Sequence, residues 1–131
     1  MAEITRHRLA SFCIESQRYV CLTGDIAFIE PECHKAGDTA SAIWRMSMGE
    51  SEGTYHKLLE CGWVSQDARK VLPNSTATRI VMKANLREWR HIFALRTSPA
   101  AYPEIRALMS DLLEQARQAI PVVFDDLEDS E

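Results

Sequence analysis

Between Pro103 and about Ala119, apolar residues recur at Ile105, Leu108, Met109, Leu112, Leu113 and Ala116, the i, i+3, i+4, i+7 spacing that lines one face of an α-helix. A stripe that regular has to be covered, so it predicts a helix packed into a core or a subunit interface. Pro99 and Pro103 bound the connection before it, and the run before that, Leu86 to Arg96, predicts a second helix, capped by Asn85, that buries Leu86, Trp89, Ile92 and Phe93. Ahead of these helices, residues 76–84 alternate. Thr78, Ile80 and Met82 fall on one side and Ala77, Arg79, Val81 and Lys83 on the other, as in a half-buried strand.

The first half of the chain is less regular. Residues 36–61 place Ala40, Ile43, Trp44, Ser47, Tyr55, Leu58 and Leu59 at helical spacing. Gly49 and Gly53, each costing roughly 1 kcal/mol against alanine, are candidates for a kink or a break, and Gly62 is placed to end the helix. Ser65 starts a short helix that Pro73 closes. Residues 18–22 and 26–29, rich in β-branched and aromatic side chains around Thr23, Gly24 and Asp25, predict a hairpin ended by Pro31. Residues 1–8 read as the last turns of a helix. Helices and hairpin-like strands in separate runs predict an α+β fold, helices packed on a small, mainly antiparallel sheet.

With 131 residues, 46% apolar and 26% charged, the chain is expected to form one domain over residues 1–131 and to bury roughly two-thirds of its extended-chain surface. Five acids between Asp125 and Glu131 form an acidic tail that accounts for the formal net charge of −4, a balance that argues against a general nucleic-acid binder. No apolar run approaches the ~20 residues of a membrane span. Cys13, Cys21, Cys33 and Cys61 lack the paired spacing of a zinc site, so no metal is expected, and they read as reduced thiols of a cytoplasmic protein.

The stretch richest in chemistry is RHRLASFCIESQRY, residues 6–19. Arg6, His7 and Arg8 cluster positive charge, Ser11 and Ser16 add hydroxyls, and Arg18 offers a planar fork suited to carboxylate or phosphate oxygens. An anionic, phosphorylated ligand fits that set; a solvated basic turn fits it too. Further on, Arg87 and His91 are four residues apart and share a helix face, whereas Arg96, nine residues beyond Arg87, points nearly the opposite way. Pairing with Glu88 or Glu104 on the helix surface is the other use open to these arginines.

Arg6-His7-Arg8, then Ser11, Ser16 and Arg18-Tyr19, followed by GWVSQDARKVLP at 62–73 and NLREWRHIFALR at 85–96, resembles in order and spacing the flavin-dependent thymidylate synthases. The likeness runs from about Glu3 to about Leu127. Since Arg6 stands five residues after Met1 and family members carry a further portion ahead of this block, the chain looks like the C-terminal two-thirds of a synthase. The resemblance implies a homotetramer that binds FAD and converts dUMP to dTMP, with methylenetetrahydrofolate as carbon donor and NADPH as reductant. By motif, Arg6, His7, Arg8, Asn85, Arg87 and His91 would contact FAD. Ser16, Gln17, Arg18 and Arg69 would hold the nucleotide phosphate, and Arg96 would sit at the uracil and favour ionisation of its imide. Where many members have Asn-Glu, this chain has Cys13 and Ile14. A relative methylating another uridine nucleotide, or a non-catalytic nucleotide-binding or oligomer-forming remnant of the fold, would share the same motifs.

Overall fold

The structure, a computed structural model, describes residues 3–31 and 38–127. Cys33, the first two positions of the helix expected from residue 36, and residues 128–131 of the acidic tail lie outside the described residues. The element order is β1 (Ser11–Ile14), α1 (Thr39–Glu60), α2 (Ser65–Ala68), β2 (Ile80–Lys83), α3 (Leu86–Arg96), α4 (Pro103–Ala119) and α5 (Pro121–Phe124), with 3-10 turns at Ile4–Arg6 and Arg69–Val71. Strands β1 and β2 pair as a two-stranded antiparallel sheet, and Glu15 extends the ladder by donating its N–H to the Arg79 carbonyl at 2.9 Å. Helices on a small antiparallel sheet make the α+β class that the sequence predicts. The chain packs into two compact units, one of residues 1–13 and 81–131, the other of residues 14–80.

In the first unit, α3, α4 and α5 are built around Ile92, Phe93, Met109, Leu113 and Phe124, all buried. Phe93 stacks on Trp89 at 5.4 Å between ring centroids and meets Phe124 edge-on at 5.6 Å. Burying side chains of this size is worth about 1.5–3 kcal/mol each, which is why the α4 stripe is such a strong predictor. Leu108 of the stripe is 58% exposed, and in α3 Leu86, expected to be buried, is 45% exposed. Leu86 is the first residue of α3. Helix α5 had no signal in the apolar pattern. It is held by Arg90, which donates to the Val123 carbonyl and, at 2.5 and 2.6 Å, to both Asp126 oxygens, so one acid of the expected tail is an ion-pair partner.

In the second unit, α1 runs unbroken through Gly49 and Gly53. Ser41, Met48 and Tyr55, seven residues apart, are its buried residues, and packing along that line outweighs two glycine penalties. Asp38 caps it by accepting from Ser41 N–H at 2.6 Å. At the other end Gly62, with φ of 90°, donates to Leu59, and Trp63 donates to Leu58, the paired bonds of a glycine-ended helix. Helix α2 starts at Ser65, but its cap position is Val64 and no side chain caps it.

The hairpin expected from residues 18–22 and 26–29 does not form. Residues 16–20 close a turn, Tyr19 and Val20 both donating to the Ser16 carbonyl. Tyr55 Oη accepts from Leu22 N–H at 3.2 Å and Glu52 Oε1 from Ile26 N–H at 2.7 Å, so α1 side chains take the donors a hairpin would use. Residues 27–29 instead run antiparallel to 75–77, with Phe28 bridged to Thr76 and bonds of 2.9 Å from Ala77 N–H to Ala27 and 2.8 Å from Ile29 N–H to Ser75. The strand expected over 76–84 is correspondingly confined to Ile80–Lys83, and the 3-10 turn Ile4–Arg6 stands where the end of a helix was expected.

No helix among the described residues is long and apolar enough to cross a membrane.

Candidate functional site

In the first unit Arg6, Arg8, Leu9, Arg87, Glu88 and His91 line an open cleft of about 520 Å³. Arg6 closes the first 3-10 turn and Arg8 follows it by two, so both side chains face out while His7 between them turns in and is only 5% exposed. Arg87 and His91 meet the cleft from α3, one turn apart as their spacing requires. Asn85 caps α3, its Oδ1 accepting from Glu88 N–H at 2.8 Å, and so sets where that helix starts against the cleft. Three guanidinium groups and an imidazole around an open concavity supply the charge and donors that a pyrophosphate needs.

A part-buried polar chain adjoins the cleft, with His7 and Glu88 its buried members. Arg96 Nε–H donates to His7 Nε2 at 3.0 Å, and the other guanidinium nitrogens reach Glu3 Oε2 at 3.2 Å and the Glu3 carbonyl at 3.0 Å. On the other side of the imidazole, Nδ1 is 3.6 Å from Glu88 Oε1, and the His91 ring stands edge-on at 6.0 Å between centroids. Burial holds the His7 pKa below its ordinary 6.5; Arg96 and His91 push the same way, and Glu88 opposes them. The helix spacing that sets Arg96 away from Arg87 and His91 therefore does not isolate it, because His7 touches both sides. From the sequence Glu88 figures only as a surface partner for the helix arginines, and Glu3 has no role there. For Glu88 the available signal is its place three residues after the Asn85 cap and three before His91.

The second unit gathers another group. Arg18 Nε–H donates to Gln66 Oε1 at 3.2 Å, and Arg69 Nε–H to the Gln66 carbonyl at 3.3 Å. Ser16 Oγ accepts from Arg18 N–H at 3.3 Å, and the Arg18 guanidinium lies over the Tyr19 ring at 5.1 Å. Two arginines distant in sequence are thus tied to one glutamine through their Nε atoms. Both bonds are made through Nε, and a guanidinium held there has its two terminal nitrogens as further donors of the kind an anion takes. Gln17 is half-buried beside them in sequence. Gln66 was passed over, though it stands one helical turn before Arg69. Cys13 is exposed and Ile14 half-buried, as alternating positions of β1.

Residues 1–122 match the family model described as thymidylate synthase complementing protein, Thy1. A protein of Geobacter sulfurreducens named flavin-dependent thymidylate synthase is 35% identical over 125 residues, which is 95% of this chain and 54% of that protein. One of the same name from Pyrococcus abyssi is 35% identical over 116 residues, 86% of this chain and 48% of its own length. A third, from Mycobacterium tuberculosis, is 35% identical over 140 aligned positions, 96% of this chain and 56% of its own. The chain spans about half the length of the curated relatives it matches. A family match over nearly the whole chain, together with motif arginines gathered in a cationic cleft and around Gln66, establishes that the chain belongs to the Thy1 family.

Proposed function

We propose that this chain is the part of a flavin-dependent thymidylate synthase that carries its arginine-rich motifs, and that it serves the reductive methylation of dUMP to dTMP. Methylenetetrahydrofolate would be the carbon donor and NADPH the reductant, in a cytoplasmic homotetramer. The names of the relatives support the flavin and the uridine nucleotide; the donor sets support the assignment of groups. Arg6, Arg8, Arg87 and His91 around the cleft, with His7 and Asn85 behind them, would hold FAD, which supplies the redox chemistry when bound. Arg18 and Arg69, with Ser16 and Gln17, would hold the nucleotide phosphate. Arg96 would face the uracil, its positive charge favouring the ionised imide, an interaction that grows as the ring is activated and so acts on rate more than on binding.

The observation that carries this reading is that Arg18 and Arg69 both bond Gln66 through Nε, which would let their terminal nitrogens serve one phosphate. Calorimetric titration with dUMP, and with deoxyuridine as the phosphate-free control, tests it. A charge-assisted bond worth about 1.5–3 kcal/mol corresponds to roughly 10- to 150-fold in affinity. Arg18→Ala and Arg69→Ala should each weaken dUMP by an amount in that range and leave deoxyuridine alone. Unchanged dUMP affinity in Arg69→Ala would remove the phosphate assignment.

A further inference from the structure

We infer that Glu88 is a positioning residue, which from the first turn of α3 keeps the buried His7 imidazole in its neutral Nδ1–H tautomer so that Nε2 can fix the guanidinium of Arg96. The inference rests on the proposed synthase reading only for what Arg96 then does. The contacts are properties of this chain.

The proton on His7 can be placed from its neighbours. Arg96 Nε–H points at Nε2 from 3.0 Å, and an arginine nitrogen is a donor only, so Nε2 must offer its lone pair. A neutral imidazole then carries its proton on Nδ1, the nitrogen that faces Glu88 Oε1 at 3.6 Å. That distance is too long for a good hydrogen bond. It is short enough for a carboxylate to favour the N–H end of the ring dipole, the more so because the two side chains are only 4% and 8% exposed and little water screens them. The opposite tautomer would set N–H against N–H at Arg96 and a lone pair against the carboxylate at Glu88. Protonating both nitrogens would also bring N–H against N–H at Arg96.

The remaining donors of Arg96 are directed as well. Its terminal nitrogens reach the carboxylate and carbonyl of Glu3, so Nε is the one point at which the orientation of the plane depends on the histidine. Glu88 is in turn placed by its backbone, whose N–H is held by the Asn85 cap. Asn85, Glu88, His7 and Arg96 thus form a sequence of contacts in which each orients the next, and Glu88 supports from the Nδ1 side the tautomer that the Arg96 contact requires at Nε2. A carboxylate that fixes the tautomer of a histidine is a recurrent way of giving an imidazole a single role.

Nitrogen-15 NMR of the full chain tests this. In the unaltered protein His7 should show Nδ1 protonated and Nε2 unprotonated, with a slowly exchanging Arg96 Nε–H. Glu88→Leu should let the second tautomer appear beside the first and speed the Arg96 Nε–H exchange, whereas Glu88→Gln, which keeps an acceptor oxygen, should retain the single tautomer and the slow exchange. An Nε2–H tautomer in the unaltered protein would overturn the inference without any variant, so it stays testable even if Glu88→Leu fails to fold. A Glu88→Leu protein with unchanged His7 and Arg96 signals would overturn it too. Adding dUMP should shift the Arg96 Nε–H resonance. If the tautomer is as stated and dUMP leaves that resonance still, the contact chain stands and the assignment of Arg96 to the uracil fails.

Discussion

Replacing Asn85 by alanine separates two roles that the residue can have, a helix cap and a cofactor contact. The Oδ1 of Asn85 accepts from Glu88 N–H at 2.8 Å; Glu88 is only 7% exposed, but Asn85 itself is exposed, so water can partly make good the lost acceptor. Removing a cap of this kind costs about 0.5–2 kcal/mol, and an exposed cap residue puts the expectation near the middle, about 1 kcal/mol. For a chain of this size that corresponds to a fall in Tm of roughly 3–5 °C. Urea unfolding followed by far-ultraviolet circular dichroism gives the free energy directly, through a lower midpoint at constant slope. Asn85→Asp discriminates between the roles. It keeps the acceptor and adds negative charge at a helix N-terminus, so stability should be held or raised by about 0.3–1 kcal/mol, while any contact made by the carboxamide NH₂ is lost. Titration of the same variants with FAD completes the comparison. Stability of Asn85→Ala within 0.3 kcal/mol of the parent, on the order of the scatter of neutral surface changes, would refute the cap argument, and so would Asn85→Asp unfolding as easily as Asn85→Ala.

Two further outcomes follow from single positions. Gly62 holds φ at 90° with nothing within 4 Å of where a Cβ would stand; Gly62→Ala should therefore cost about 1–2 kcal/mol through backbone strain alone, and Gly62→Asn less, which the same urea titration measures. His7 makes stability depend on pH. Its folded pKa lies below the unfolded 6.5 because of burial first and Arg96 second, with His91 adding and Glu88 opposing. The unfolded chain thus binds the proton more readily, and the contribution of His7 is fully present above pH 6.5 and lost as pH falls from there toward the folded pKa. Between pH 7 and 5 the free energy of unfolding should drop less steeply in His7→Gln than in the parent, and equal slopes would sink the assignment.

The chain itself determines whatever depends on neighbours within about one turn. The α4 stripe of Met109, Leu112, Leu113 and Ala116, the Asn85 cap, the end of α1 at Gly62 and the alternation of Ile80 and Met82 are all legible because the residues that satisfy each other are three, four or two positions apart. The motif arginines are legible in the same way, as residue types at set spacings. Pairing between distant segments is not. Residues 26–29 have strand-like composition, yet Tyr55 and Glu52 on α1 take their upstream donors and residues 75–77 lie beside them, so a plausible local hairpin gave way to a better-satisfied long-range partner. Nor does spacing tell what a guanidinium will meet. Helical geometry sets Arg96 opposite Arg87, but only the fold places the His7 ring, 89 residues away in sequence, between Arg96 and Glu88, and only the fold brings Arg18 to Gln66. Local backbone preference acts through bonds the chain already has, whereas a buried polar group takes whichever partner tertiary packing leaves within 3 Å or so.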